Sequence, residues 1–310
     1  MSARRAALLL VAAVLATSCG SGDPTPGSAA PEPVENPSFP VTIDAANGDV
    51  TIEEQPDAIV SISPTATEML FAIGAGDQVV AVDDQSNYPP EAPVTDLSGF
   101  EPNIEAIATY EPDLVVFSFD PGRLEKGLRA LGIPALMQSA AVTLDDTYDQ
   151  IEQLGAATGR SAEADDVVAG METEIEAIVD GVPDLADEPT YYYELDDTYF
   201  TATSETYVGT LLERLGLTNI ADPADKEGSG YPQLSPEYIV KADPDLIFLA
   251  DTKCCGQSDE TIAKRPGWNG ISAVEEGHVI ELDDDLASRW GPRIVELLRT
   301  AADAVAELAA

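Results

Sequence analysis

The chain has very few of the residues on which most catalytic and metal sites depend. It contains one histidine, His278, and three cysteines among 310 residues. A zinc or manganese site with three histidine ligands is therefore impossible. The sequence also has no serine in a nucleophile-elbow pattern, no P-loop and no complete dinucleotide-binding glycine pattern. These absences predict a binding protein rather than an enzyme, with no catalytic residue and no metal site of its own.

Basic residues are scarce as well. The chain has 15 Lys and Arg against 57 Asp and Glu, a formal net charge of -42. Because contacts to phosphate require Lys and Arg, nucleic acid is excluded as a partner. The acids are scattered through the chain rather than gathered in a tail, which favours a solvated surface suited to high external salt over an acid-specific function. Chance pairs such as Asp83-Asp84 are expected in so acidic a sequence.

Long hydrophobic runs are missing, and no stretch approaches the roughly 20 residues that a helix needs to cross a bilayer. The apolar run Ala6–Ala16 follows Arg4 and Arg5, the arrangement of a signal peptide. Small residues then precede Cys19, which resembles the lipobox, where the thiol is acylated. An ordinary signal peptide with an incidental cysteine is the alternative. We predict a signal peptide over residues 1–18 and a lipid anchor at Cys19.

Residues 19–38 are rich in Gly, Ser, Pro and Ala and have no aromatic side chain. Such a segment buries too little apolar surface to offset its ordering entropy. It is predicted to be a disordered tether, stiffened by its prolines.

The rest of the chain alternates short apolar runs with amphipathic helices, after a hairpin signal at Asn47-Gly48. Apolar runs of this kind are typical of parallel strands that are buried on both faces. The first set comprises Ile59–Ile62, Val79–Val82, Leu114–Phe117 and Ala135–Met137; the second lies near Tyr191–Glu194, Leu246–Leu249 and Val279–Leu282. In both sets a short helix leads into Pro-Asp and then a strand, at Pro112-Asp113 and Pro244-Asp245. A duplicated α/β lobe is predicted: an N-terminal lobe over 39–142, a helical connector over 143–180 dominated by one long helix, and a C-terminal lobe over 181–310.

Four motifs in order resemble one family: Ile59–Glu68, Asn87–Pro90, Glu111–Val115 and Gly291–Ile294. They are similar to the solute-binding proteins of ABC importers for iron-siderophores, haem and cobalamin, with a spacing close to that of the vitamin B12-binding member. The resemblance covers residues 39–310. It implies a class III periplasmic-binding-protein fold, in which two Rossmann-like lobes with parallel sheets are joined by a single long helix and hold the ligand between them. It also implies an extracytoplasmic monomer with a metal-chelate ligand, no cofactor, and an ABC permease and ATPase as partners.

In this family one acid on each lobe docks the permease, and the matching residues here are Glu68 and Glu205. The alternative is that both acids simply favour a helix N-terminus. The cleft is expected to lie just past the strand ends, where flat aromatic faces suit a broad chelate. The aromatic candidates are Tyr88, Phe100, Phe119, Phe200, Tyr231 and Trp290, each with core packing as the alternative. Lys253, Arg289 and Arg293 are the nearest bases.

The scarcity of bases argues against a highly anionic catecholate chelate and favours a ferric hydroxamate or a corrinoid. Haem is disfavoured because His278 lies at a turn, which leaves only a tyrosine such as Tyr88 as an axial ligand. A surface sensor or scaffold with the same body is the chief alternative function, and a chelate-modifying lyase comes third.

Cys254 and Cys255 follow a predicted strand and face the predicted cleft. Adjacent alpha carbons are about 3.8 Å apart, closer than the usual span of a disulfide, so a bridge here is strained. We predict a bridge between them, with two free thiols or a soft-metal contact as the alternatives.

Overall fold

The apolar runs of the N-terminal lobe form a parallel sheet in the computed structural model of the protein, which describes residues 38–183 and 188–309. The predicted signal peptide, the anchor at Cys19 and the tether lie outside the described residues, apart from Ser38. The hairpin consists of β1 (Val41–Ala45) and β2 (Gly48–Ile52), paired antiparallel. The sheet follows in the order β4-β3-β5-β6, with all pairs parallel. Its strands have the predicted bounds: β3 (Ile59–Ile62), β4 (Val79–Val82), β5 (Leu114–Phe117) and β6 (Ala135–Met137).

The helices of this lobe are α1 (Pro64–Ala72), α2 (Ile104–Ala108) and α3 (Leu124–Ala130). The Ser63 hydroxyl accepts the N–H of Ala66 and caps α1, and Pro64 occupies its first turn. Gly74, with φ +74°, lies just past its end. Local sequence therefore sets where α1 begins and ends, directly after the central strand of the sheet.

Two helices connect the lobes, α4 (Leu144–Thr158) and α5 (Ser161–Gly181). Thr143 and Asp146 form a capping box at the start of α4, and Gly159 ends that helix in the left-handed conformation. Helix α5 has 21 residues and therefore spans roughly 30 Å. It packs against α4 and against the last helix of the chain, α11 (Ile294–Leu308).

The C-terminal lobe repeats the arrangement of the first. Its strands are β7 (Thr190–Glu194), β8 (Thr218–Asn219), β9 (Leu246–Leu249) and β10 (Val279–Glu281), all parallel in the order β8-β7-β9-β10. Its remaining helices are α6 (Tyr207–Glu213), α7 (Pro236–Ala242), α8 (Asp259–Ile262), α9 (Ser272–Glu276) and α10 (Asp284–Ser288). In both lobes the first strand lies between the second and third, so the predicted architecture of two parallel-sheet α/β lobes is confirmed.

The two Pro-Asp motifs have the same structural role. The Asp113 carboxylate accepts the N–H groups of Asp57 and Ala58, both at 3.0 Å, just before β3. The Asp245 carboxylate accepts the N–H and hydroxyl of Thr190, at 2.7 and 2.9 Å, at the start of β7. In each lobe the aspartate ties the third strand to the beginning of the first.

The main apolar core is continuous through the connector. Buried residues from the hairpin (Ile43), α4 (Ile151), α5 (Met171), α11 (Leu298) and β7 (Tyr193) belong to a single cluster. Because the two lobes share this core, it restricts how far they can swing apart. No helix in the described ranges is both long and apolar enough to cross a membrane.

Candidate ligand-binding site

A cavity of about 630 Å³ lies between the lobes, at the carboxyl ends of the N-terminal strands. Loops that follow parallel strands at this edge commonly form binding sites. The N-terminal lobe contributes Ile62, Ser63, Pro64, Thr65, Asp83, Gln85, Gly99, Phe100, Ser118 and Phe119; the C-terminal lobe contributes Asp285, Ser288, Arg289 and Trp290. Four of the predicted site residues therefore line one cavity: Phe100, Phe119, Arg289 and Trp290.

The aromatic walls of the cavity are of two kinds. Phe100 and Phe119 are 71% and 58% exposed, so neither ring is part of the core. Trp290 is half-buried, and its indole N–H donates to Gln150 Oε1 on α4 at 2.9 Å. Two rings are thus free to meet a ligand, and the third is held in place by the connector.

Asp83 is the buried acid of the cavity, with 2% of its surface exposed. Its carboxylate accepts the N–H of Gln85 and the hydroxyl of Ser86. Burial raises the pKa of Asp83, and these two hydrogen bonds oppose that rise only in part. By residue type alone, Asp83 is indistinguishable from a chance acid in the sequence. Its position directly after β4 was the signal that could have identified it.

The guanidinium group of Arg289 is already bonded to other groups of the protein. Its guanidinium donates to Glu68 Oε1 at 2.8 Å, and to the carbonyl oxygen of Gln85 and to Asp285 Oδ1, each at 2.9 Å. The residue is 8% exposed. Arg289 therefore joins the two lobes at the wall of the cavity, rather than standing free to pair with an anion.

Glu68 is not presented on the surface, which corrects its assignment as a docking residue. It is 3% exposed and lies in the second turn of α1, beyond the helix N-terminus. Arg293 donates from Nε and Nη2 to its two carboxylate oxygens, at 2.9 and 2.5 Å, in addition to the bond from Arg289. The Glu68 carboxylate is thus buried and already bonded to two arginines, unlike an exposed docking acid.

Residues 285–293 belong to the C-terminal lobe but form hydrogen bonds and ion pairs with the N-terminal lobe and with α4. We call these residues the crossing segment. Asn87 of the N-terminal lobe donates to Asp285 Oδ2 at 3.0 Å. Burial favours the protonated form of Asp285, yet hydrogen bonds from Lys253 and Asn87 and the charge of Arg289 outweigh it and lower the pKa of Asp285. The crossing segment thus carries ionised groups that are paired across the lobe boundary.

Lys253 does not line the cavity, contrary to its prediction as a binding residue. Its ammonium group donates to Asp283 and Asp285 at 2.7 and 2.9 Å. About half of its side chain, 53%, is exposed. The acids at the start of α10 therefore hold its ammonium group.

Tyr88 also lies outside the cavity. Its ring stacks against Arg293, with the guanidinium carbon 4.0 Å from the ring centroid. It faces an outer groove of about 740 Å³ between α1, α5 and α11. The prediction that Tyr88 lines the cleft was wrong: its ring packs on Arg293 and lines the outer groove instead.

The remaining predicted residues lie on the C-terminal lobe. Phe200 and Tyr231 are 39% and 53% exposed on loops of that lobe and are not among the residues lining the cavity. Glu205 is exposed, just before Thr206, which caps α6. Cys254 and Cys255 are exposed free thiols, so the predicted bridge is not present in the structure.

The fold and this cavity define the class: a two-lobed α/β protein that holds a solute between its lobes. Within the described residues, no group of three or more His, Cys, Asp or Glu side chains is placed to hold a metal ion. His278 lies at the start of β10, away from the cavity.

Comparison with known proteins supports this class. Residues 59–286 match the family described as periplasmic binding protein, and the chain belongs to that family. It is 33% identical over 310 residues to the ABC transporter substrate-binding lipoprotein YvrC of Bacillus subtilis, covering 96% of this chain and 95% of the relative. It is 33% identical over 279 residues to a cobalamin-binding protein of Halobacterium salinarum, covering 86% and 74% of the two chains. The structure of the periplasmic haem-binding protein RhuT from Roseiflexus matches with a TM-score of 0.72 and 27% identity, over 82% of this chain and 99% of that one. The family consists of solute-binding proteins, which confirms the prediction of a binding protein rather than an enzyme.

Proposed function

We propose that this protein is the extracytoplasmic binding lipoprotein of an ABC importer and that its cargo is a corrinoid. The observation that carries the proposal is the interlobe cavity of about 630 Å³, which has two exposed phenyl rings and a polar rim of hydroxyl, amide and carboxylate groups. Cavities of this size suit a single small-molecule ligand. The name of the halobacterial relative supports the choice of a corrinoid.

The charge of the cavity disfavours an anionic chelate. Arg289 is the only Lys, Arg or His among the described lining residues, and its guanidinium already bonds to Glu68 and Asp285. Asp83 and Asp285 add acidic groups to the same wall. A tricatecholate would meet carboxylates with no free cation to pair with. A corrinoid carries neutral amide arms, whose N–H groups can donate to such a wall.

The cavity also disfavours haem. Haem iron is usually held by a His, Cys, Met or Tyr side chain. None of these four residue types is among the described lining residues. Tyr88, the substitute that the sequence suggested, stacks on Arg293 outside the cavity. Cyanocobalamin brings its own axial as well as equatorial ligands and needs no protein side chain on the metal.

An ABC permease and ATPase are the proposed partners, as the name of the Bacillus subtilis relative indicates for that protein. Glu205 remains the candidate docking acid, because its side chain is exposed. The proposed lipid anchor at Cys19 would hold the binding lobes near the permease.

The test is a calorimetric titration of the purified full chain with cyanocobalamin, a ferric trihydroxamate, a ferric tricatecholate and haemin. We expect saturable binding of one cyanocobalamin per chain and no binding of the tricatecholate. Saturable binding of the trihydroxamate or of haemin, without binding of cyanocobalamin, would overturn the corrinoid assignment. A control titration with the cobalt-free corrin tests whether the macrocycle rather than the metal is recognised.

A further inference from the structure

Cys254 and Cys255 lie in an exposed loop that runs from β9 to α8. Their Sγ atoms are 2.6 Å apart, and both thiols are exposed. The Cys255 N–H donates to the carbonyl oxygen of Asp251 at 3.2 Å, which closes a turn around the pair. The loop therefore presents two thiols to solvent, side by side on one turn of chain.

Hydrogen bonds to the carboxylate of Asp284 connect the loop to α10. The N–H of Cys254 donates to Asp284 Oδ2 at 2.8 Å, and the N–H of Lys253 donates to Oδ1 at 3.0 Å. The Thr252 hydroxyl donates to the same Oδ1 at 2.9 Å. Asp284 is the first residue of α10, and the next residue, Asp285, lines the cavity. Cys254 is thus connected to the cavity wall by its hydrogen bond to Asp284 and by the peptide bond from Asp284 to Asp285.

We propose that Cys254 and Cys255 are a reversible thiol–disulfide site, oxidised by a disulfide compound, whose state alters the position of Trp290 at the cavity. A bridge between adjacent cysteines is strained because their alpha carbons are about 3.8 Å apart, and strained, exposed disulfides are the readily reduced ones.

The exchange has two steps. The Cys255 thiolate attacks one sulfur of the oxidant, forms a mixed disulfide and releases the first thiolate of the oxidant. The Cys254 thiolate then attacks the Cys255 sulfur, closes the bridge and releases the second thiolate. The two protons lost by the cysteines are taken up by the two released thiolates. Two protein thiols and one disulfide compound become one protein disulfide and two small thiols.

The order of attack follows from the surroundings of Cys254. Burial, the hydrogen bond to Cys255 and the nearby charges, including that of Asp284, raise the pKa of Cys254 to about 12. Because only a thiolate attacks, Cys254 is the poorer first nucleophile. Once Cys255 is in a mixed disulfide, its charge and its hydrogen bond no longer act on Cys254, so Cys254 ionises more readily and completes the bridge.

Bridge formation alters the cavity through Asp284. Closing a ring that contains the peptide bond between the two cysteines reorients that peptide, which carries the Cys255 N–H that binds Asp251, and shifts the adjoining Cys254 backbone, whose N–H binds Asp284. Weakening the Asp284 bonds releases the start of α10. Asp285, Arg289 and Trp290 follow on the same stretch of chain and line the cavity.

The first experiment uses the full chain with Cys19→Ser, so that the pair supplies the only thiols of the three-cysteine sequence. Folded protein is incubated with oxidised glutathione, and intact mass and free thiols are measured. We expect loss of both thiols, a mass lower by two hydrogen atoms, and full recovery with dithiothreitol. Two unreacted thiols, or a stable glutathione adduct on the unsubstituted pair, would overturn the site. The single variants are the controls: Cys254→Ser and Cys255→Ser should each stop at a stable glutathione adduct on the remaining cysteine.

The second experiment uses tryptophan fluorescence to detect a change at the cavity in the absence of a ligand. The chain has two tryptophans: Trp268 is fully buried in the C-terminal lobe, and Trp290 is at the cavity. Oxidation should change the tryptophan emission spectrum, and the change should be absent in Trp290→Phe. It should be reduced in Asp284→Asn, which still forms the bridge. An unchanged spectrum, or a change that persists in Trp290→Phe, contradicts the coupling to the cavity.

Discussion

Glu68 of the N-terminal lobe accepts hydrogen bonds from Arg293 of the C-terminal lobe on both of its carboxylate oxygens, at 2.9 and 2.5 Å. Arg289 adds a third bond to the same carboxylate at 2.8 Å. All three side chains are largely buried, with 2%, 16% and 7% of the Glu68, Arg293 and Arg289 side chains exposed. This cluster joins the lobes by ion pairs, in addition to the connector.

Neutralising Glu68 should destabilise the protein. Glu68→Gln removes the carboxylate to which the largely buried Arg293 bonds and leaves Arg289 paired with Asp285. Removing one partner of a buried ion pair costs about 3 kcal/mol or more. Guanidinium unfolding should show a lower midpoint for Glu68→Gln, with Glu205→Gln as the matched control because Glu205 is exposed. A loss below about 1 kcal/mol would show that the cluster contributes little to stability.

The phenyl rings of the cavity should contribute to cyanocobalamin affinity without contributing to stability. Phe100→Ala and Phe119→Ala each remove an exposed ring, so the unfolding midpoint should stay within error of the original. Loss of one aromatic contact of about 1.4 kcal/mol corresponds to a tenfold weaker Kd. Phe200→Ala and Tyr231→Ala are matched controls, because their rings are exposed outside the described cavity lining. Equal losses from all four variants would extend the site to the C-terminal loops.

Reversing the charge of Glu205 should abolish uptake and leave ligand affinity intact. Its side chain is exposed ahead of α6 and lies outside the cavity lining. The measurements are uptake of labelled cyanocobalamin by cells that carry the importer, and calorimetry on purified Glu205→Lys. Glu237→Lys, an acid in the first turn of α7, serves as the control for a general effect of added positive charge. Loss of affinity in Glu205→Lys would refute the docking assignment.

Asp251 should make stability depend on pH. Burial and the adjacent charge of Glu194 raise the pKa of Asp251 to about 7. Within the described residues neither of its carboxylate oxygens has a hydrogen-bond partner, whereas Glu194 is held by two bonds of 2.6 Å from Arg265. A protonated Asp251 can donate to Glu194, and an ionised one repels it.

The sign of that dependence follows from proton binding. Between about pH 4 and 7 the folded chain keeps the Asp251 proton that the unfolded chain releases, so the free energy of unfolding falls as pH rises, by a few kcal/mol in total, and levels off above pH 7. Asp251→Asn can donate to Glu194 at every pH. The difference between the two unfolding curves should therefore grow from pH 4 to pH 7 in favour of the variant. Parallel curves would mean that Asp251 does not titrate in this range.

The strands of the N-terminal lobe could be predicted because each is a run of apolar residues between polar ones, which suits burial on both faces. The bounds of α1 could be predicted because Ser63, Pro64 and Gly74 act locally. β8 was missed because its two residues, Thr218 and Asn219, are too few to form a pattern. Phe119 could be placed at the cavity because it follows the buried strand β5, and Phe100 because it lies in the loop between β4 and α2 at the same edge of the sheet.

The charged part of the site could not be predicted in the same way. Glu68 and Arg293 are 225 positions apart, and their pairing depends on how the lobes meet. Arg293, which pairs with Glu68, also stacks on the ring of Tyr88, and Tyr88 lies outside the cleft. Lys253 forms ion pairs with Asp283 and Asp285, acids that in the sequence are indistinguishable from the general negative charge. Long-range ion pairs therefore decided which predicted residues line the cavity.

The crossing segment, residues 285–293, also determines when the cavity is completed during synthesis of the chain. Its Arg289 and Trp290 complete a cavity whose other wall belongs to the N-terminal lobe. Synthesis and export proceed from the N-terminus, so the larger wall is available long before the smaller one. A partly exported chain, or one cut ahead of Asp285, has an open half-site that lacks the residues tying the lobes together. The complete cavity therefore exists only when nearly all of the chain has folded.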